Sequence, residues 1–281
     1  MTSSKNSERG LSFSKLALES IRLARRSWPF NFGKDFPNHL GAVATRLGLI
    51  GPEWFEFKPG LWMQLNVTDL IQETILLEGM WDPCLTNFIE SNLKPGNVFI
   101  DIGAHVGYFT LLAANKVGDS GKVLAVEPNP FALKDLQQHV ERSDLKNVVI
   151  EHSACGESNG VVNLFLHTES NTSMASLSNS NASGGSSVEV PCQPLDQLFE
   201  KHALKKADLI KVDVEGAELS VLRGMRNVML EFSPMIVLEL EPDLLKSFGT
   251  SKEQVLEFFA ECGYFVESLG GHSNFVCRKK P

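Results

Sequence analysis

The chain has 281 residues, 43% hydrophobic and 21% charged, with a net charge of -8 and a pI near 5.4. That length and apolar content suffice for one large α/β domain with an extension, while the acidic balance offers no general attraction to nucleic acid or to anionic membrane surfaces. Cys84, Cys155, Cys192, Cys262 and Cys277 are scattered without C-x-x-C spacing, which indicates neither a disulfide framework nor a zinc site and leads us to expect a reducing, cytoplasmic address.

Residues 1–10 are polar. From Leu11 to Trp28, Ala17, Ile21, Ala24 and Trp28 share one helical face and Lys15, Glu19, Arg22 and Arg26 another, which predicts an amphipathic packing helix rather than a membrane span. Nothing in this stretch resembles the apolar core of a secretory signal. Residues 29–51 carry several glycines and prolines and read as an irregular connection. Phe55 to Lys58 and Leu61 to Asn66, joined by Pro59-Gly60, predict a hairpin. Asp69 suits the N-cap of a helix running through Ile71 and Ile75 to Leu77, and Asp82-Pro83 opens a second that ends near Asn92. Residues 1–68 are therefore expected to form an N-terminal extension, and 69–281 the main domain.

The stretch from Val98 to Leu111 reads as a buried strand, a glycine turn and a helix start, with Asp101 at the end of the strand. Gly103 and Gly107 permit a tight turn and a close approach of backbone to ligand. The dinucleotide fingerprint needs glycine where His105 and Tyr108 stand, and a phosphate-binding Walker loop needs a lysine that this turn lacks, so pyrophosphate and nucleoside triphosphates are disfavoured. An acid-first D-x-G-x-x-x-G turn suits a ligand with a cationic amino-acid part, and S-adenosylmethionine, with its ammonium and sulfonium, fits.

Lys122 to Val126 predicts a second buried strand, ending in Glu127 and followed by Pro128-Asn129-Pro130 and a helix from Phe131 to Val140. Glu127 lies 20 residues beyond Gly107, where α/β nucleotide sites place a carboxylate for ribose hydroxyls. Asn147 to Glu151 is a third strand, leading to Ser153 and the small residues Ala154, Cys155 and Gly156. Val161 to His167 and Val188 to Cys192 read as strands around a Ser, Asn and Gly-rich loop, 168–187, and Leu195 to His202 as a helix. The run from Asp208 to Val212 then ends in Asp213, Glu215 and Glu218 beside Gly216, and Pro234 to Leu240 ends in Glu239 and Glu241. Ligands of open α/β sheets bind outside the carboxyl ends of the strands, so these acids are expected to share a crevice with Asp101 and Glu127. A helix from Lys252 to Glu261 and a hairpin of Tyr264 to Leu269 with Asn274 to Arg278 complete the chain.

Four motifs in this order, FIDIGAHVGYFTLLAA, VLAVEPNP, LIKVDVEGAE with a following VLRG, and IVLELEP, resemble the FkbM-type methyltransferases of the class I, S-adenosylmethionine-dependent fold. The resemblance implies a Rossmann-like α/β fold: a seven-stranded, mostly parallel sheet with helices on both faces and one antiparallel strand from the last hairpin. It implies that Asp101, Gly103 and Gly107 line the methionine end, that Glu127 binds the ribose hydroxyls, and that Asp213 lies beside the methyl group; His105, Pro128, Asn129 and Ser153 are further candidates for cofactor contact. His105 stands where the family usually has asparagine, and Asp82 where it often has glutamate. The implied activity is O-methylation of a hydroxyl on a sugar, glycan or small metabolite, with Asp213 as first candidate for general base and Glu215 and Glu239 next. Asp213 and Glu239 could also hold a Mg²⁺ ion, although no metal is assigned. The other class of reading is a non-catalytic subunit that keeps the fold for binding or assembly, against which the intact Asp101, Glu127 and Asp213 argue. Oligomeric state is not written in these motifs.

Overall fold

The structure is a computed structural model and describes residues 54–65, 69–166, 186–270 and 273–280. The helix expected over 11–28, the connection over 29–51 and nearly all of the loop 168–187 lie outside the described residues. The chain divides into two compact units, Met1–Trp81 and Asp82–Pro281.

In the first unit, β1 (Trp54–Lys58) and β2 (Leu61–Gln64) form an antiparallel hairpin. Gly60 turns it at φ 78°, and its N–H donates to Glu56 Oε1 at 2.7 Å. Leu61, Met63 and Leu65 alternate with half-buried Trp62 and Gln64, the period of a strand with one apolar face. Helix α1 (Leu70–Glu78) begins at Asp69, whose carboxylate accepts the Gln72 N–H, and stops at Gly79 in the left-handed conformation.

The second unit opens with α2 (Pro83–Asn92), capped by Asp82, and then alternates β3 (Val98–Ile102), α3 (Tyr108–Val117), β4 (Lys122–Val126), α4 (Pro130–Arg142) and β5 (Val148–Glu151). A short excursion follows through β6 (Ala154–Cys155), β7 (Gly160–Phe165), β8 (Ser187–Gln193) and α5 (Leu195–Lys201). The chain returns through β9 (Leu209–Val212), α6 (Glu218–Gly224), α7 (Arg226–Phe232), β10 (Met235–Glu239), α8 (Pro242–Ser247), α9 (Lys252–Glu261), β11 (Tyr264–Gly270) and β12 (Asn274–Lys279).

Seven strands form one sheet in the order β11-β12-β10-β9-β3-β4-β5, with β12 antiparallel to both neighbours and the other pairings parallel. This is the seven-stranded, mostly parallel sheet expected. The strands expected over 161–167 and 188–192 do not join it. They pair with each other and with β6 in a separate three-stranded sheet over a small core of Leu164, Leu166, Val190 and Cys192.

Parity along the central strands divides the layers. Val98, Ile100 and Ile102 pack with Ile210, Val212, Ile236 and Leu238 against Leu198, Leu222, Val255 and Phe259 from helices α5, α6 and α9. Each such side chain, fully buried, contributes roughly 1.5–3 kcal/mol. Phe99, Asp101, Leu209 and Lys211 point to the opposite face, where α3 covers them. The strand order runs outward in opposite directions from β3 and β9, so their shared carboxyl end is the switch point at which α/β sheets open a crevice.

Candidate active site

The β3–β9 pair carries an ion pair inside the sheet. Asp101 and Lys211 are register partners on neighbouring strands, and both are wholly buried. Lys211 Nζ lies 3.4 Å from Asp101 Oδ1, 3.2 Å from Asp213 Oδ2 and 3.1 Å from the Gly103 carbonyl oxygen, which accepts its hydrogen bond. Thr110 on α3 donates to Asp101 Oδ2 at 2.6 Å, and the Phe109 ring centroid lies 5.4 Å from the ammonium. Asp101 thus points sideways under α3 rather than out of the strand end, and the half-exposed carboxylate at this position is Asp213. Burial works against the Lys211 ammonium, but Asp213 and then Asp101 outweigh it and hold its pKa above the ordinary lysine value. Lys211 was not singled out from the sequence, although a lysine between Ile210 and Val212 in an apolar strand was the available signal.

The two turn glycines are demanded by the protein's own packing. Gly103 has φ 79°, and a Cβ there would overlap the carbonyl of Asp213. Gly107 has φ 92° at the start of α3, and a Cβ there would overlap Leu136 of α4. His105, between them, has φ 51° and donates its backbone N–H to Glu127 Oε2 at 2.7 Å.

Glu127, at the end of β4, closes the adjacent corner. Its other oxygen accepts the Asn129 N–H at 2.8 Å, and Asn129 in turn caps α4 by accepting from Phe131 N. Burial pushes the Glu127 carboxyl up to about 7 against the pull of those two N–H groups. Pro128 bends the chain between them, and its carbonyl lies 3.1 Å from His152 Nε2. Beyond β5, Ala154 and Cys155 are taken up by β6, and Gly156 lies close against Cys192 and Gly224. Ser153 remains, with its hydroxyl buried and without a partner among the described residues.

On the far side of Asp213 the carboxylates crowd. Burial, then Asp213 and Glu239, push the Glu215 carboxyl up to about 8, and burial, then Asp213 and Glu241, push Glu239 up to about 7. Glu218, at the start of α6, accepts from Gly216 N at 3.1 Å and has its second oxygen buried without a hydrogen bond. Asp82 is spoken for: one oxygen accepts Leu85 N–H and the other the Asn274 amide at 2.6 Å. Ser273 donates to Glu241. Among the described residues no three His, Cys, Asp or Glu side chains are grouped to hold a metal ion.

The family model of the Methyltransferase FkbM domain matches residues 101–266, more than half of the chain. The chain belongs to the FkbM methyltransferase family. Among relatives of this FkbM methyltransferase, Methyltransferase 1 of Beauveria bassiana is 30% identical over 176 residues, which cover 56% of this chain and 70% of that protein. Hexuronic acid methyltransferase AglP of Haloferax volcanii is 26% identical over 141 residues, 50% of this chain and 55% of that one. The solved FkbM methyltransferase of Methylobacillus flagellatus KT has 15% identity and a TM-score of 0.46, over 74% of this chain and 52% of its own.

The cofactor of this FkbM methyltransferase is S-adenosylmethionine. The residues present fit it. Each Glu127 oxygen has one backbone N–H and retains acceptor capacity for a neighbouring hydroxyl, and the orphaned Ser153 hydroxyl awaits a partner. No helix among the described residues is long and apolar enough to cross a membrane.

Glu127, Glu215, Glu218 and Glu239 give this FkbM methyltransferase a pH signature. All four hold their protons more tightly in the fold, at about 7 to 8, than at the ordinary value of 4.5. The stability they contribute is fully present below about pH 4.5 and is lost as the pH rises through 7 to 8. Ligand-free protein is therefore expected to melt higher at pH 5.5 than at pH 8.5, by on the order of 5–10 °C. Melting curves that are flat or rise over this range would remove these carboxyls from the account.

Proposed function

We propose that this methyltransferase acts on a hydroxyl of a sugar or other small metabolite. The reading is carried by Asp213, Glu215 and Glu239 at the carboxyl ends of adjacent strands β9 and β10, two of them titrating near neutrality. A hydroxyl is a weak nucleophile until its proton leaves, and a positioned base whose pKa lies near the working pH contributes roughly 10²–10⁴-fold. When bound, the cofactor supplies a methyl group already activated by its sulfonium. The chain then has to bind, orient and accept a proton.

In this reading Asp101, Gly103, His105 and Gly107 build the turn at the methionine end, Glu127, Pro128 and Asn129 hold the ribose, and Ser153 borders the adenine. Asp213 lies beside the methyl group. Its carboxylate is engaged by Lys211 Nζ at 3.2 Å. Proton uptake passes to Glu239 or Glu215, and Asp213 orients the acceptor. The similarity to a hexuronic acid methyltransferase supports a sugar-class acceptor. Glu239 feels Asp213, Glu241 and Asp82 together, and so acidic an acceptor side favours a neutral sugar over one bearing its own carboxylate.

The test is transfer of labelled methyl to a panel of neutral glycosides, uronic acids, phenols and amines. Glu239→Gln or Glu215→Gln is expected to lower transfer by about 100-fold or more while leaving S-adenosylhomocysteine binding intact. Transfer to amines alone would overturn the hydroxyl reading. Loss of cofactor binding in Asp213→Asn would assign that residue to the cofactor. Folded wild type that binds neither S-adenosylmethionine nor S-adenosylhomocysteine would leave the non-catalytic subunit as the better reading.

A further inference from the structure

Burying a lysine in the middle of a sheet is costly, and a cost of that kind persists where the charge is paired on several sides. Lys211 is surrounded in this way. Asp101 faces it from β3, Asp213 from the end of its own strand, and the Phe109 ring from α3; Glu127 at the end of β4, Glu215 in the following loop and Glu239 on β10 also act on or feel its charge. The remaining contact is to neither an acid nor a ring: Lys211 donates to the carbonyl of Gly103, the first glycine of the turn. That carbonyl belongs to the residue whose Cα packs directly against the Asp213 carbonyl. One ammonium therefore ties together the glycine turn of β3 and the acid of β9, the two sides of the switch point.

We propose that Lys211 is the positioning residue of the cofactor crevice, holding the Asp213 carboxylate outward and pinning the Gly103 turn from inside the sheet. The inference rests on the reading of Asp213 and Gly103 as cofactor-facing. It goes beyond that reading by assigning the geometry of the mouth to a residue that has no surface of its own. Lys211 touches neither cofactor nor acceptor; it acts through Asp213 and Gly103. Burial already pushes the Asp101 carboxyl up against the pull of Lys211; with the ammonium removed that pull is gone and the carboxyl is driven further up, and Asp213 loses the group that orients it.

The experiment is titration calorimetry of full-length protein with S-adenosylmethionine and with S-adenosylhomocysteine, from pH 6 to 9, beside thermal melts. Wild type is measured first, because wild type that binds neither ligand sinks the methyltransferase reading before any variant is judged. Lys211→Met keeps an unbranched side chain of nearly the same length and removes the charge. It is expected to weaken both ligands by about tenfold or more and to add a pH dependence beyond the one that Glu127 gives wild type. Lys211→Arg keeps the charge and is expected to bind more tightly than Lys211→Met despite its greater bulk. A packing role predicts the reverse order. Lys211→Met/Asp101→Asn removes the cation and the inner acid together, and is expected to lose the added pH dependence while binding stays weak. Lys211→Met with wild-type affinity and pH profile overturns the proposal and leaves the wild-type binding result standing. Should Lys211→Met fail to fold, recovery of a cooperative melt in the double variant supports the proposal. A double variant that also stays unfolded assigns Lys211 to packing and overturns it.

Discussion

Gly103→Ala is expected to lose cofactor binding and a large part of the stability of the second unit. Gly103 sits at φ 79°, a conformation that costs an L-residue roughly 1–2 kcal/mol. The added methyl would also overlap the Asp213 carbonyl, a backbone atom that cannot swing aside as a side chain does. Asp213 N–H is itself bonded to the Ile102 carbonyl at 3.0 Å, so the two strand ends must separate as a pair. Their separation would also stretch the Lys211 contacts to Gly103 and Asp213. The combined loss is on the order of 3 kcal/mol or more, a fall in melting temperature of roughly 6–12 °C for a domain of this size. Thermal melts and calorimetry with S-adenosylhomocysteine read it directly. A variant that melts within a degree of wild type and still binds would show that the turn does not pack as described. Gly107→Ala is milder, because the obstacle there is the flexible end of Leu136.

The fold was legible wherever apolar runs ended at turn signals. Asp69, Asp82 and Asn129 open helices in the structure as their sequence positions suggest, because each puts a side-chain oxygen where the first unpaired N–H groups need an acceptor. The assignment of strands to sheets was less legible. The 160–165 and 187–193 segments look like strands, and are, but the first is largely exposed, and the second alternates polar and apolar residues and contains Pro191. Strands buried on both faces, such as Val98–Ile102, are apolar but for a single functional residue, here Asp101. The alternation of 187–193 was therefore the signal that it belongs, with its antiparallel partner 160–165, to a half-exposed ladder rather than to the parallel sheet.

The site divides in the same way. The acids at strand ends are brought together, as the switch-point rule leads one to expect. What spacing along the chain cannot convey is where Asp101 points. In a strand apolar on both faces, parity does not mark the crevice side, and the partner that draws Asp101 inward lies 110 residues later on a strand that becomes its neighbour only in the folded sheet. From its place at a strand end, Asp101 reads as a carboxylate for the ligand. In the structure it balances Lys211, and Asp213 carries the exposed charge.

Glu127→Ala is expected to weaken S-adenosylmethionine and S-adenosylhomocysteine equally, by about 100-fold, and to leave their ratio unchanged. The carboxylate does two things at once. It accepts the His105 and Asn129 N–H groups, which fixes the turn against the start of α4, and it keeps lone pairs for the ribose hydroxyls. Hydrogen bonds to a charged group are worth about 1.5–3 kcal/mol each, so loss of two toward the ligand amounts to about two or more orders of magnitude in affinity. The ribose hydroxyls are common to both ligands and lie several bonds from the sulfur, which is why the ratio should hold. Glu127→Gln is expected to fall between alanine and wild type. Its amide offers one acceptor oxygen, but its NH₂ must face a backbone N–H that also donates, so one of the two turn contacts becomes repulsive. Loss of the methylated ligand alone would place Glu127 near the sulfonium instead of the ribose. Unchanged affinity for both would remove it from the cofactor site, with the two backbone contacts left as its whole role.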